Sequence, residues 1–223
     1  MTSHPLTLHE PTLFQTNTAG PGRNAFETAA GSVILHSFCP PSLVASLKAD
    51  RGLQAFARVA EREHQLLLGI AERPDCALTL AYTASGEIVG QVTLAPLDHW
   101  WKGIGNAYEI AVEVSAGWRR LGIAHRLLSL ALEFESMEEF LIVGLGLSWH
   151  WDYAGLGITR FHYRELIGRL FAAHGFSEYL TSEPNIRMDL ANILVARLGS
   201  RLAEESMNRF FERLLQSDTL PGL

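Results

Sequence analysis

The sequence predicts an α+β fold, and three stretches of the chain carry that prediction. Residues 77–83 and 87–94 are rich in β-forming residues and are joined by a short Ala-Ser-Gly link, as in a β-hairpin. Residues 107–134 begin with Ile/Val-rich alternation and continue with apolar residues at helical spacing, which indicates a strand, a loop and a helix. Residues 140–147 are almost continuously apolar, which is typical of a strand covered on both faces.

The other elements follow from the same two periodicities and from the Pro and Gly residues that interrupt them. The pattern predicts strands at 31–38 and from 176, and helices at 41–47, 53–70, 161–174, 186–198 and 203–216. Residues 1–23 are polar and rich in Pro and Gly, so we expect a flexible N-terminal arm. Residues 24–216 are then one domain, in which residues from about 185 to 216 form a helical C-terminal extension.

Composition limits the classes of function. The chain has 223 residues, of which 48% are hydrophobic, enough for a well-packed core, and a formal net charge of −6. Two isolated cysteines indicate no disulfide framework, and neither a signal peptide nor a membrane-spanning stretch is apparent. We therefore expect a cytoplasmic protein that binds neither membranes nor nucleic acid, since the latter requires a basic face.

The loop at residues 119–124, Arg-Arg-Leu-Gly-Ile-Ala, is the clearest candidate binding site. The first N–H groups of a helix have no partner within the helix, and Gly122 and Ala124 let a ligand approach the backbone closely. Together with Arg119 and Arg120, these groups predict an anion site, most naturally for a pyrophosphate.

Arg119, Gly122 and Ala124, in the order Arg-x-x-Gly-x-Ala, resemble the acyl-CoA-binding motif of the GNAT N-acetyltransferase superfamily. The resemblance implies a mixed, mostly antiparallel central sheet flanked by helices, and acetyl-CoA as the cosubstrate. It also implies which residues hold the cosubstrate. They are the loop residues Arg119, Arg120, Leu121, Gly122, Ile123 and Ala124, and the strand backbone at Ile110, Val112 and Val114.

The second half of the chain resembles one branch of that superfamily, the acetoin-utilization acetyltransferases of the AcuA family. The matching segments are Trp149-His150-Trp151-Asp152, Tyr163-Arg164, Ser182-Glu183-Pro184, Ala191-Asn192, Ala196-Arg197-Leu198-Gly199 and Glu205-Ser206. The resemblance implies a protein lysine acetyltransferase that acetylates and inactivates acetyl-CoA synthetase in acetate and acetoin metabolism.

Two carboxylates are candidates for the general base of this reaction. Only a neutral amine can attack a thioester, so the enzyme must remove a proton from the lysine ammonium. Strand alternation places Glu109 and Glu113 on the same face. Glu109 lies nearer the start of the strand, a frequent place for the GNAT base, whereas Glu113 recurs in AcuA sequences. The alternative for each is an ion pair with an arginine, or solvent exposure.

Further candidates come from the second half of the chain. Many GNAT enzymes carry a tyrosine that protonates the CoA thiolate, but Phe171 occupies that position here. Tyr163 or Tyr153 takes over this role, or the thiolate leaves without an acid. His150 is a candidate proton relay. Asp152 would orient it or attract the lysine, or the two form a structural hydrogen bond. No metal site is predicted.

Two other functions remain open at this point. One is a small-amine acetyltransferase, which would need a closed polar pocket. The other is a non-catalytic module that senses acetyl-CoA or binds a partner. The sequence does not give the acceptor lysine, the acyl-chain preference or the oligomeric state.

Overall fold

The computed structural model describes residues 22–216, which build one nine-stranded sheet with helices on both faces. Residues 1–21 of the predicted arm lie outside the described range. The strands are β1 (Arg23–Thr28), β2 (Gly31–His36), β3 (Lys48–Ala49), β4 (Ala77–Thr83), β5 (Glu87–Pro96), β6 (Ala107–Val114), β7 (Leu141–Gly146), β8 (Ser177–Tyr179) and β9 (Ile193–Leu198). The helices are α1 (Pro41–Ser46), α2 (Ala60–Ala71), α3 (Ile123–Leu132), α4 (Arg160–Ala172), α5 (Pro184–Arg187) and α6 (Glu204–Leu214).

The sheet is mixed and mostly antiparallel, as predicted. Its order is β1-β2-β4-β5-β6-β7-β9-β8, and β3 adds to β5. The neighbours β6 and β7 are parallel, and they pair only from Ala107↔Leu141 to Glu109↔Val143. Beyond Glu109 the two strands separate, while β6 stays paired with β5 as far as Val114. This separation opens a gap in the middle of the sheet.

Three apolar clusters hold the helices against the sheet. The largest lies on the α3 side, where Ile123, Leu127 and Leu128 are fully buried. On the opposite face, α1 and α2 cover β4 and β5, and α6 covers β7 and β9 through Phe210. In the described range, no helix combines the length and apolar character needed to cross a membrane.

The predicted helix at 186–198 is wrong, because its second half is strand β9. This strand lies between β7 and β8 and pairs with β7 along its whole length. A six-residue apolar run fits a buried helix or a doubly covered strand equally well, and here Ile193, Leu194, Val195 and Ala196 are all buried. Residues 185–216 therefore complete the sheet, and only α6 remains of the predicted long helices there.

The predicted helix at 53–70 begins only at Ala60. Residues 53–59, called the rim segment below, form irregular backbone whose N–H groups are bound by carboxylates. Gln54 and Ala55 donate to Glu113 Oε1 at 2.7 and 2.9 Å, and Ala57 donates to Glu63 Oε2 at 2.7 Å. These carboxylate acceptors replace the helical hydrogen bonds that local spacing predicted.

The sequence pattern also missed β1, an edge strand paired with β2.

Candidate active site

A cavity of about 400 Å³ fills the gap between β6 and β7. Its walls are these two strands, the first turn of α3, the α4 face that carries Leu166, Ile167 and Leu170, and the rim segment at Ala55 and Phe56. Gly144 on β7 leaves room for the neighbouring strand β9, since a Cβ there would lie only 2.9 Å from Val195 Cγ2. The cavity thus connects the loop predicted to bind an anion with the two candidate bases.

Part of the backbone of β6 points its N–H and C=O groups into this cavity, where no neighbouring strand pairs with them. Ser115 donates to Val89 and Ala107 accepts from Leu97, so the odd-numbered residues of β6 point their backbone groups at β5. The even-numbered residues therefore point their backbone groups towards β7, and beyond Glu109 these groups no longer pair with that strand. Of the predicted strand contacts, Val112 and Val114 have backbone N–H groups on this open side, while Ile110 lies at its start.

The predicted anion loop has the geometry that such a ligand requires. Gly122 is the N-cap of α3 with φ 78°, a left-handed conformation that glycine adopts without strain, and nothing lies within 4 Å of where its Cβ would be. Arg119, Arg120, Ile123 and Ala124 line the cavity beside it. These free helix N–H groups and arginines fit the pyrophosphate of a CoA ester. Leu121 packs against the core instead of lining the cavity.

Asp152 does not orient His150, contrary to one of the predictions. Its carboxylate binds Arg119 Nη1 at 2.7 Å and accepts from the Gly155 N–H at 3.0 Å. His150 Nδ1 lies 2.7 Å from the carbonyl of Ala55, which can only accept, so Nδ1 carries the hydrogen. The ring also packs against Phe56, with centroids 5.3 Å apart. His150 therefore joins the rim segment to the turn after β7.

Glu109 and Glu113 both line the cavity, but their surroundings differ. Glu109 lies at the last residue paired with β7, is half-buried, and makes no hydrogen bond or ion pair with the described residues. Burial raises its pKa, and the nearby Glu183 carboxylate raises it further. Glu113 is only 6% exposed, and two rim N–H groups occupy its Oε1. Burial raises the pKa of Glu113 to about 7.

The two aromatic candidates on α4 lie at different parts of the cavity. Phe171 is buried against Phe176 and lies near β7 at Gly144. Tyr163 stacks on Trp151, and burial raises the pKa of its hydroxyl, with Arg119 opposing this shift. Eight residues of helix place Tyr163 roughly 12 Å along the axis from Phe171. Tyr153 does not line the cavity.

Sequence reasoning assigned no structural role to the residues that hold these groups in place. Asn192 Oδ1 accepts from the Ser148 N–H at 2.7 Å and so fixes the turn that carries His150. Glu183 caps α5 by accepting from the Ile186 N–H at 2.6 Å. The Glu-Pro pair at 183–184 is a helix-start signal that could have located this cap. Glu63, on α2, is fully buried, and nothing in its local sequence indicated that.

Comparison with known proteins fits this geometry. Residues 44–138, from within α1 to the turn before β7, match the family model described as Acetyltransferase (GNAT) family. Together with the relatives described next, this match shows that the chain is an N-acetyltransferase of the GNAT superfamily, whose members take the acetyl group from acetyl-CoA.

Within the superfamily, the chain belongs to the AcuA family. It is 31% identical to the acetoin utilization protein AcuA of Bacillus licheniformis and 30% identical to that of Bacillus subtilis, in each case over 82% of this chain and 89% of the relative. The crystal structure of an acetoin utilization protein from Exiguobacterium sibiricum is also similar, with 28% identity and a TM-score of 0.81. That match covers 87% of this chain and 94% of the other.

Proposed function

We propose that this protein transfers the acetyl group of acetyl-CoA to the ε-amine of a protein lysine, with Glu109 as the general base. The observation that carries the proposal is the position of Glu109. Its carboxylate lies where β6 and β7 begin to separate, on the sheet face opposite α3, and it has no partner among the described residues. A base that bound a neighbouring group would not be available to take a proton from the substrate.

Glu113 is less suited to that task. Both N–H bonds to Oε1 stabilise its carboxylate as a structural acceptor, and its Oε2 atom is buried. The general base must come within hydrogen-bonding reach of the amine. We therefore assign the proton transfer to Glu109 and a positioning role to Glu113.

The walls near Glu109 favour a lysine over a small polar amine. Ala111, Gly144, Leu145, Gly146 and Phe56 offer mainly apolar contact. A small polar acceptor needs several hydrogen-bonding groups to hold it, whereas a lysine needs an apolar path for its four methylene groups and a carboxylate at the end. The acidic pair Glu109 and Glu183 also attracts the ammonium before it is deprotonated.

The reaction then needs little more from the protein. The deprotonated amine attacks the thioester carbonyl, and backbone N–H groups on the open side of β6 are placed to stabilise the negative charge on its oxygen. The carbon–sulfur bond breaks, and the CoA thiolate leaves as the amide forms. With Phe171 near β7 and Tyr163 farther along α4, we propose that the thiolate leaves without a protein acid.

The acceptor protein that we propose is acetyl-CoA synthetase, as the AcuA resemblance implies. Acetylation of a lysine in its active site would stop acetate activation, so acetyl-CoA would limit its own formation. We place this reaction in the cytoplasm, where acetyl-CoA and the synthetase are found together.

A transfer assay tests both parts of the proposal. The protein is incubated with acetyl-CoA and the synthetase of the same organism. The intact mass and the activity of the synthetase are then measured. One added acetyl group and loss of synthetase activity are expected, and peptide mapping then locates the lysine. Acetylation of spermidine or glucosamine but not of the synthetase would support a small-amine acceptor, and acetyl-CoA binding without any transfer would contradict catalysis.

The pH dependence of this transfer is expected to change when Glu183 is replaced by glutamine. The neutral amide removes a negative charge that raises the pKa of Glu109, while its oxygen can still accept from the Ile186 N–H. Glu109 must be ionised to act as a base. The acidic limb of kcat/KM should therefore move to lower pH in Glu183→Gln. The exposed Glu204→Gln is the matched control, and an unshifted limb in Glu183→Gln would contradict the role of Glu109.

A further inference from the structure

The acetyl-transfer site rests on a second buried acid that lies outside the cavity wall. Glu63 on α2 has no solvent exposure, and its Oε2 accepts from the Ala57 N–H at 2.7 Å. Its Oε1 and the Oε2 of Glu113 are both buried, and neither has a partner among the hydrogen bonds of the described residues. The nearby charge of Glu63 raises the pKa of Glu113, so a proton between these two oxygens would satisfy both.

Within the described part of the chain, no cation forms an ion pair with these two carboxyls. Among the ion pairs of residues 22–216, neither Glu63 nor Glu113 takes part in one. Directly across from Glu113 on β5 is Gln91, a neutral amide that is 1% exposed. Two adjacent carboxylates without a counterion repel each other strongly in a dry interior, whereas one shared proton turns the repulsion into a hydrogen bond.

We propose that Glu63 is a positioning residue of the acetyl-transfer site, which shares one proton with Glu113 and thereby holds the rim segment at the cavity mouth. Both carboxyls bind backbone N–H groups of this segment, at Gln54, Ala55 and Ala57. The rim segment in turn holds His150 through the Ala55 carbonyl, and Phe56 packs against the His150 ring. Loss of the proton therefore weakens both sets of contacts of the rim segment, those with the two carboxyls and those with His150.

The proton gives the rim a defined dependence on pH. When the rim opens, Glu113 reaches water and ionises at the ordinary pKa of a glutamate, near 4.3. In the closed state its pKa is raised to about 7, so it stays protonated up to about that pH. Opening therefore releases one proton between these limits, so the opening constant rises with pH by up to tenfold per pH unit and levels off above about 7.

Other charged groups near the pair do not reproduce this behaviour. Tyr163 faces it from α4, and its raised pKa keeps the hydroxyl neutral over this range. Arg58, on the rim itself, donates to the Trp149 carbonyl and keeps its charge. Asp50 is bound to the hydroxyl of Ser115. His150 is the group that needs a separate control, because imidazoles ionise in the same range.

Hydrogen exchange of peptides that cover residues 53–59 tests the inference between pH 5 and 8.5. In the wild type, protection corrected for the intrinsic exchange rate is expected to fall by up to tenfold per pH unit as far as about 7, and then to stay constant. In Glu63→Gln the charge of Glu63 no longer raises the pKa of Glu113, although burial still does, so the fall in protection should end at a lower pH than in the wild type. In Glu63→Ala it should be low throughout, and Glu61→Gln, an exposed position of α2, should behave as the wild type.

His150→Phe keeps the carboxyl pair and should keep the wild-type pH profile. Identical profiles in the wild type and Glu63→Gln, or a flat profile in the wild type, would overturn the inference. Loss of the profile in His150→Phe would assign the titration to the imidazole and also overturn it. The inference rests on acetyl transfer by this site, but hydrogen exchange needs no acceptor, so its result is independent of whether the synthetase is the substrate.

Discussion

Glu109→Gln is expected to lower the rate of acetyl transfer by about 10²–10⁴-fold, the usual contribution of a general base. Glutamine keeps the size of the side chain but cannot take a proton from the lysine ammonium. Because Glu109 makes no hydrogen bond or ion pair with the described residues, the substitution leaves no partner unsatisfied. The loss should therefore appear in kcat, with acetyl-CoA affinity and thermal stability close to the wild type.

Steady-state assays of CoA release measure kcat, and calorimetric titration with acetyl-CoA measures its affinity. Glu133→Gln, an exposed carboxylate after α3, is the matched control. In Glu109→Gln, activity should partly recover as the pH approaches the pKa of a free lysine ammonium, near 10.4, because the solvent then supplies the neutral amine without a protein base. A variant that retains more than a tenth of wild-type kcat would show that proton removal belongs to another group.

Arg119→Ala is expected to weaken acetyl-CoA binding by about 10- to 100-fold. A hydrogen bond to a charged group contributes about 1.5–3 kcal/mol, and 1.4 kcal/mol corresponds to a factor of ten in Kd. The substitution also leaves Asp152 unpaired beside the anion loop, where its charge would repel the phosphates. Titration calorimetry at two salt concentrations should show a weaker Kd and a smaller dependence on salt than in the wild type.

Arg169→Ala provides the control, since Arg169 is an exposed arginine of α4 paired within its own helix. The double variant Arg119→Ala/Asp152→Ala separates the two effects, because it removes the repulsion along with the attraction. Its affinity should lie between those of the wild type and Arg119→Ala. An affinity within twofold of the wild type in Arg119→Ala would place the phosphates elsewhere.

The sequence by itself determined the central part of the fold and the position of the candidate anion loop. The change from a two-residue to a 3.6-residue period at 107–134 predicted β6 and α3, and the buried face of α3 carries the residues expected, including Ile123 and Leu127. The small residues and the two arginines where the loop enters α3 predicted the anion loop, and Gly122 is found there as the left-handed N-cap. These features depend on local geometry, which neighbouring residues decide.

Only the tertiary structure decided between helix and other backbone conformations where the local sequence pattern fits both. The run Ile193–Leu198 is a strand because it pairs with β7, and the rim segment is not helical because Glu63 and Glu113 bind its N–H groups. Strand alternation places Glu109 and Glu113 on the same face with the same chemistry. They differ because the rim segment covers Glu113 and leaves Glu109 beside the gap. Burial and hydrogen bonds between residues 58 and 59 positions apart cannot be read from the periodicity of a single segment. These interactions set the different environments of the two carboxyls.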